Sequence, residues 1–245
     1  METDDRAHLL TRLALELQSA RDTEPTADAV IQQTLDLVPD ADWVSLTLRS
    51  ARRRFVTLAA TAEVASTADE LQYTLREGPC VDAALDGDWY RSGSVGDDPR
   101  WPTWGPRAAE VGVASLLSVK LATEDSVLGA LNMYSGTPGA FTDRDSVDFA
   151  VLYGAHAAVA LTAAREISGL HSAIHSRHTI GLAQGILMER YGLGVDASFS
   201  LLRRCSTDLH LKVADVAADI VTTRRLPVAT TASPQSEPTD PASTR

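Results

Sequence analysis

Apolar residues recur at helical spacing twice near the start of the chain, which predicts two leading helices. The first covers residues 1–24, and the acidic side chains of Asp4 and Asp5 suit its N-terminus. The second ends before Pro39, which cannot continue a helix. Both helices precede the first strand-like pattern.

Alternation of apolar and polar residues then predicts β-strands. Residues 43–48 and 55–58 predict a hairpin, and residues 114–121 and 127–134 predict a second pair of strands. Between these pairs, residues 78–112 hold too many Gly and Pro for one long element. The pattern indicates an α+β domain in which helices flank an antiparallel sheet.

A long helix follows the strands. Its periodicity runs from Thr142, which with Asp145 forms a Ser/Thr-x-x-Asp/Glu helix start, to about Tyr191. Apolar and small residues recur along it in steps of three and four, the spacing of a coiled-coil seam. We expect this seam to hold a homodimer; alternatively, the helix packs on its own sheet. The seam comprises Val147, Val151, Ala155, Ala158 and Thr162, then Ile167, Leu170 and Ile174.

Two shorter amphipathic helices follow a break at Gly192 and Gly194. Asp196 is expected to cap the first of them. Together with the end of the long helix, they predict a small all-α three-helix bundle. From Pro227 onward, four prolines and no apolar residue larger than valine predict a disordered tail. The expected apolar stripe of the middle helix is Phe199, Leu202, Cys205 and Leu209.

These patterns divide the chain into an N-terminal helix (1–24), an α+β domain (25–165), a helical domain (166–226) and a tail (227–245). The chain has a net charge of −11. Residues 1–170 carry 14 Lys and Arg against 26 Asp and Glu, whereas residues 171–226 carry 7 against 5. Only the helical domain is basic, so a polyanion would be repelled by the rest of the chain.

Cysteine and histidine usage limits the chemistry. Cys80 and Cys205 belong to no CxxC or Cys/His cluster, so we expect neither a disulfide framework nor a zinc site. No histidine lies between His8 and His156, which argues against haem or metal held by imidazole there. The chain starts without signal-peptide features, and no stretch approaches the ~18 consecutive apolar residues of a membrane span. We expect a cytoplasmic protein without a cofactor or a membrane segment.

Residues 176–221 resemble the ANTAR family of bacterial antitermination domains. The diagnostic block runs from Ala183 to Met188. The resemblance implies a helical domain that binds hairpin loops in nascent RNA. Gln184 stands where the family often has lysine, and His210 where asparagine is common. Further matching positions are Ala197, Phe199, Leu202, Arg203, Ser206, Val216 and Ala217.

The preceding part resembles the GAF domains found before ANTAR in actinobacterial proteins. The resemblance implies a sensor that controls the RNA-binding domain of a transcription antiterminator, with an unknown small-molecule ligand. GAF-type free-methionine-sulfoxide reductases need several cysteines, so Cys80 alone argues against an enzyme, and no catalytic residue is assigned. The resemblance is carried by residues 71–73, 77–80, 82–83, 100–102 and 129–132.

The candidate RNA contacts are polar residues that helix packing does not require. Side chains of this kind contact phosphates or base edges of RNA loops. They are Arg177, Gln184, Arg203, Arg204, Ser206 and Lys212.

Two other functions stay open at this point. The first is a GAF-type small-molecule or redox sensor, or an enzyme, whose helical C-terminus serves only for dimerisation. The second is a DNA-binding repressor, against which the weak basicity of the bundle argues. Cys80 is expected to be a small buried hydrophobe; the alternative is a redox-active thiol at a helix N-terminus.

Overall fold

The computed structural model describes residues 22–49, 54–83 and 87–227. The chain divides into two compact units, Met1–Gly169 and Leu170–Arg245. The helix expected over residues 1–24 and the tail expected over 227–245 lie outside the described residues, apart from 22–24 and 227.

The first unit alternates short helices with strands, and its last helix continues into the second unit. In chain order the elements are α1 (Thr23–Leu37), β1 (Trp43–Arg49), β2 (Phe55–Ala60), α2 (Glu63–Leu75), α3 (Pro79–Ala83), β3 (Trp89–Ser92), a 3-10 turn (Val95–Asp97), α4 (Trp104–Glu110), β4 (Ser115–Ala122), β5 (Val127–Ser135), α5 (Arg144–Tyr191), α6 (Val195–Leu209) and α7 (Val213–Thr223).

The strands form one sheet in the order β2-β1-β5-β4-β3, and every neighbouring pair is antiparallel. This confirms the predicted hairpin and the predicted second pair of strands. Strand β3 does not follow from the sequence pattern, because it is four residues long and lies among the glycines and prolines of residues 78–112. Gly129 is required where β5 meets β1, since a Cβ there would overlap the Thr47 carbonyl group.

Each central strand sends alternate side chains to opposite faces of the sheet. One face is apolar and packs on α1 and α5; Leu46, Leu131 and Met133 are fully buried there. The other face presents polar residues such as Thr47 and Asn132, which are equally buried. The alternation visible in the sequence therefore separates a hydrophobic core from a polar interior.

Helix α5 begins after Asp143, whose Oδ2 accepts hydrogen bonds from the backbone N–H and the hydroxyl group of Ser146. Asp143, rather than Thr142, therefore supplies the N-terminal cap. By length and composition alone α5 could cross a membrane, but half of its most apolar 18-residue window is buried inside the protein. Tyr153 and Leu161 in this region pack into the core beneath the sheet, as in the core helix of a globular domain.

The seam expected along α5 is corrected at two positions. Val147 and Ala158 are buried in the core of the first unit, so they cannot contact a second chain. This helix therefore packs partly on its own sheet, the alternative raised from the sequence. Leu170 and Ile174 are exposed, as a seam requires. Leu152 and Val159, which the seam pattern did not include, are exposed in the first unit.

The second unit is a small helical bundle with its own apolar core. Ala183 and Leu187 from α5 pack with Leu202 of α6 and with residues of α7. Asp196 lies in the first turn of α6 and not at its cap, which is Gly194. Phe199 is 40% exposed and does not belong to the buried stripe, where Ser198 takes the corresponding place. The core members from α7 are Val216, Ala217 and Ile220.

Candidate functional site

The polar face of the sheet in the first unit is built around Asp69 of α2. Its Oδ1 accepts hydrogen bonds from the Tyr134 hydroxyl group at 2.6 Å and from Asn132 Nδ2 at 3.0 Å. Its Oδ2 accepts one from the Thr57 hydroxyl group at 2.8 Å. Tyr73 shares hydrogen bonds with Thr57 at 2.9 Å and with Thr47 at 2.6 Å. Asp69 and Tyr73 together thus tie α2 to strands β1, β2 and β5.

Burial governs the protonation of this network. It raises the pKa of Asp69, against the lowering effect of hydrogen bonds led by that from Tyr134. Burial also raises the pKa of Tyr134 and Tyr73, and the Asp69 charge adds to both rises. Within the described residues, every buried side-chain nitrogen and oxygen has a hydrogen-bond partner. The polar interior is therefore fully paired by its own side chains.

Cys80 lies at the edge of this network and is fully buried. Burial raises the pKa of its thiol to about 12, and the neighbouring Asp69 adds to the rise. Its backbone N–H donates to Gln72 Oε1 at 2.7 Å, while Gln72 Nε2 donates to the Tyr134 hydroxyl group. The expectation that Cys80 is a small buried residue is confirmed, and the raised pKa of its thiol disfavours the thiolate form that redox chemistry requires.

The remaining sequence motifs of the first unit build its structure. Glu77 Oε1 accepts hydrogen bonds from the backbone N–H groups of Thr103 and Trp104, where α4 begins. The Trp101 indole donates to Asp82 Oδ2 at 2.7 Å. Gly78 has a φ of +139°, and a Cβ there would lie 2.5 Å from the Gln72 side chain. These residues fix the loops that cover the polar face.

In the second unit, Gln184 holds the start of α6 against α5. Its Nε2 donates to the Val195 carbonyl at 3.1 Å and to the Ser198 hydroxyl at 3.3 Å. Ser198 in turn donates to Val195 at 2.7 Å. Gln184 is half-buried, and its amide N–H groups are occupied within the bundle.

Ser206 sets the direction of the chain between α6 and α7. Its hydroxyl group donates to the Leu211 carbonyl at 2.6 Å, and the Leu211 N–H donates to the Ser206 carbonyl at 3.1 Å. Lys212, the exposed residue before α7, therefore lies beside the second half of α6. Arg203 precedes Ser206 by less than one helical turn, so Arg203 and the backbone of Lys212 lie toward the same end of α6.

The three arginines among the candidate contacts are all exposed, but they do not share one face. Successive helical residues are about 100° apart, so Arg203 and Arg204 point to different sides of α6. Arg203 lies on the side of Ser206, and Arg204 on the side of Asp208, four residues later. Arg177 precedes Gln184 on α5 by seven residues, which places both on one side of that helix.

Sequence reasoning missed Phe199 as a functional candidate. Its apolar character and helical spacing indicated the core, but it is exposed and lies on the Arg203 side of α6. The adjacent pair Ser198–Phe199 carried a signal that could have found it. Ser198 lies four residues before Leu202, so it also has the helical spacing of the core stripe. Only the packing of α6 decides which of the two is buried.

Comparison with protein families accounts for both units. A GAF domain model matches residues 20–162, and an ANTAR domain model matches residues 168–221. The chain is a GAF–ANTAR protein. This architecture joins a sensor domain to an RNA-binding antitermination domain, and it is that of a regulator. No curated protein matches the chain.

Solved structures support the GAF fold of the first unit. A GAF domain from a Coxiella burnetii phosphoenolpyruvate-protein phosphotransferase is 16% identical, with a TM-score of 0.55, and covers 69% of this chain and 99% of its own. The corresponding Acinetobacter domain is 16% identical, with a TM-score of 0.53 and the same coverage. A bacteriophytochrome from R. palustris is 11% identical, with a TM-score of 0.56, and covers 84% of this chain and 48% of its own. At these identities the likeness concerns the fold alone.

Proposed function

We propose that this GAF–ANTAR protein is a cytoplasmic antiterminator that binds hairpin loops in nascent leader RNA through its second unit. The observation that carries the proposal is the Ser206–Leu211 contact, which holds the chain before Lys212 against the second half of α6, where Arg203 is exposed. Phosphate groups attract such exposed cations. The second unit is also the only part of the chain with a positive net charge.

The six candidate residues have different proposed roles. Arg203 and Lys212 bind phosphate, and Arg177 extends the basic surface along α5. Arg204 contributes charge from a different side of α6. Gln184 and Ser206 act chiefly as positioning residues, because their donor groups already hold α6 and the start of α7.

The first unit is proposed to sense a signal and to control RNA binding without catalysis. Its polar interior offers hydrogen-bonding groups to a small polar ligand, which would have to replace contacts such as Tyr134 to Asp69. Helix α5 belongs to both units and is therefore the proposed route of control. A homodimer through exposed residues of α5 is part of the proposal.

The test is the binding of the full-length protein to a two-hairpin leader RNA, compared with DNA hairpins of the same sequence. We expect binding to the RNA and a salt slope that falls by about one unit for each lost phosphate contact. The double variant R203A/K212A should therefore bind more weakly with a flatter slope. Its matched control is R107A/R144A, which removes two exposed cations from the first unit.

Three outcomes would contradict the proposal in different ways. Absence of binding to any RNA would remove the antiterminator function. Equal or tighter binding to the DNA hairpins would favour a DNA-binding repressor. Equal losses in R203A/K212A and in the control would show that net charge, and not these two positions, controls affinity.

A further inference from the structure

The exposed face of α6 carries an aromatic ring that the fold leaves uncovered. Phe199 is 40% exposed, whereas Leu202, three residues later on the same helix, is fully buried. Val195, one turn before Phe199, is 60% exposed and extends the apolar surface. Phe199 and Val195 together form an apolar patch flanked by polar groups, which makes this face of α6 a candidate binding surface.

The surroundings of Phe199 indicate what it binds. Arg203 is exposed one turn after the ring, and Ser206 lies two turns after it on the same side. The Ser206 contact brings Lys212 to that end of the helix. At the other end, Gln184 contacts Val195. Phe199 therefore lies between Gln184 and the cations at the far end.

We propose that Phe199 is the base-stacking residue of this surface and takes an unpaired nucleobase of an RNA loop. The inference rests on the proposed RNA binding and adds the chemical group that is recognised. Single-stranded loops present splayed bases that stack on aromatic side chains, while duplexes keep their bases inside. Arg203 is placed to bind the phosphate beside the stacked base. The ring thereby selects loops over paired RNA, which the cations alone cannot do.

The experiment uses the full-length protein and the two-hairpin RNA with 2-aminopurine at successive loop positions. F199L keeps an apolar side chain but removes the ring, and F199Y restores a ring. One stacked base is worth ~1–3 kcal/mol, so F199L should weaken loop binding between about 5- and 150-fold. F199Y should bind close to the parent, and 2-aminopurine should be quenched at one loop position by the parent and not by F199L.

Two further readouts separate stacking from charge. The salt slope should be unchanged in F199L and flatter in R203A, because only the arginine neutralises a phosphate. Preference for the looped RNA over a fully paired duplex should fall in F199L. W89L is the matched control, since Trp89 is a similarly exposed aromatic residue in the first unit, and it should bind as the parent does.

The outcomes distinguish this inference from the proposed function. If the parent binds RNA and F199L binds equally well, the stacking role is overturned and the RNA function stands. If F199L changes the monomer–dimer equilibrium and leaves RNA affinity intact, the ring contacts a second copy, which also overturns the inference. If F199L fails to fold, the folded F199Y variant provides the test. A loss of RNA affinity in F199Y as large as the loss in R203A would then count against the stacking role. If the parent binds no RNA, the proposed function itself fails.

Discussion

The Tyr134 hydroxyl group donates a 2.6 Å hydrogen bond to Asp69 Oδ1, and this contact joins the central strand β5 to helix α2. Both residues are fully buried, and the side chains hydrogen-bonded to them, Asn132, Thr57 and Gln72, are neutral. The free energy of the ionised carboxylate is therefore raised by burial and lowered only by neutral donors. The polar interior of the GAF unit is thus sensitive to the protonation of one residue.

We predict that D69N makes the stability of the protein less dependent on pH. Burial raises the pKa of Asp69 in the folded chain, so the folded chain holds a proton that the unfolded chain releases above pH ~4. The free energy of unfolding therefore falls as the pH rises from about 4 to the raised pKa of Asp69. Denaturant unfolding at several pH values should show that the free energy of unfolding decreases less with rising pH in D69N than in the parent. An unchanged pH dependence would contradict this, and E110Q, at an exposed residue of α4, is the control.

Cys80 should be protected from thiol reagents in the folded protein. It is fully buried and its pKa is raised to about 12, whereas Cys205 is partly exposed. Titration with a chromogenic disulfide reagent should detect one thiol under native conditions and a second after unfolding. C80S should fold and should leave the first thiol reactive. Rapid modification of two thiols in the native parent would contradict the buried role.

The protein should be a homodimer at micromolar concentration. Exposed Leu152 and Val159 lie on the first-unit part of α5, and exposed Leu170 and Ile174 lie on the second-unit part. Burying these side chains between two helices removes apolar surface from water. V159E should shift the mass measured by light scattering toward the monomer, whereas V56E, at a similarly exposed valine of β2, should not. A monomeric parent would disprove the dimer.

His210 is expected to lower the stability of the ANTAR unit. It adopts the left-handed conformation that ends α6, with φ of 55°, where glycine or asparagine is favoured. H210G should raise the free energy of unfolding by roughly 0.5–1 kcal/mol, because glycine lacks the Cβ that disfavours this conformation. Replacing His178, inside α5, by glycine should lower the free energy of unfolding by roughly 0.5–1 kcal/mol. Denaturant unfolding of both variants gives the comparison, and a destabilised H210G would be the contrary result.

Arg203 should matter more than Arg204 for RNA affinity. The two side chains are about 100° apart on α6, and only Arg203 lies on the side of Phe199 and Ser206. R203A should weaken binding across RNA sequences and flatten the salt slope by about one unit. R204A should cause a smaller loss, from long-range charge alone. Equal losses, or a larger loss for R204A, would show that the RNA-binding face is turned toward Asp208.

The sequence by itself determined the two pairs of strands, the long helix, the helices of the bundle and the order of the units. Alternation in β1 and β5 predicts strands because successive strand residues face opposite sides, and this holds before any packing is known. The glycines at 192 and 194 end α5 for a backbone reason that is equally local. The motif block from Ala183 to Met188 then indicated the ANTAR family.

Tertiary structure alone decided which face of each element is covered. Phe199 and Ser198 are adjacent, and their burial is the reverse of what their polarity predicts, because the packing of Leu202 into the bundle core sets the rotation of α6. Val147 likewise fits a dimer seam in sequence but is buried under the sheet. Helical spacing shows that a stripe exists, but the element that covers it is distant in the chain, so only three-dimensional packing assigns the stripe to the core or to a partner.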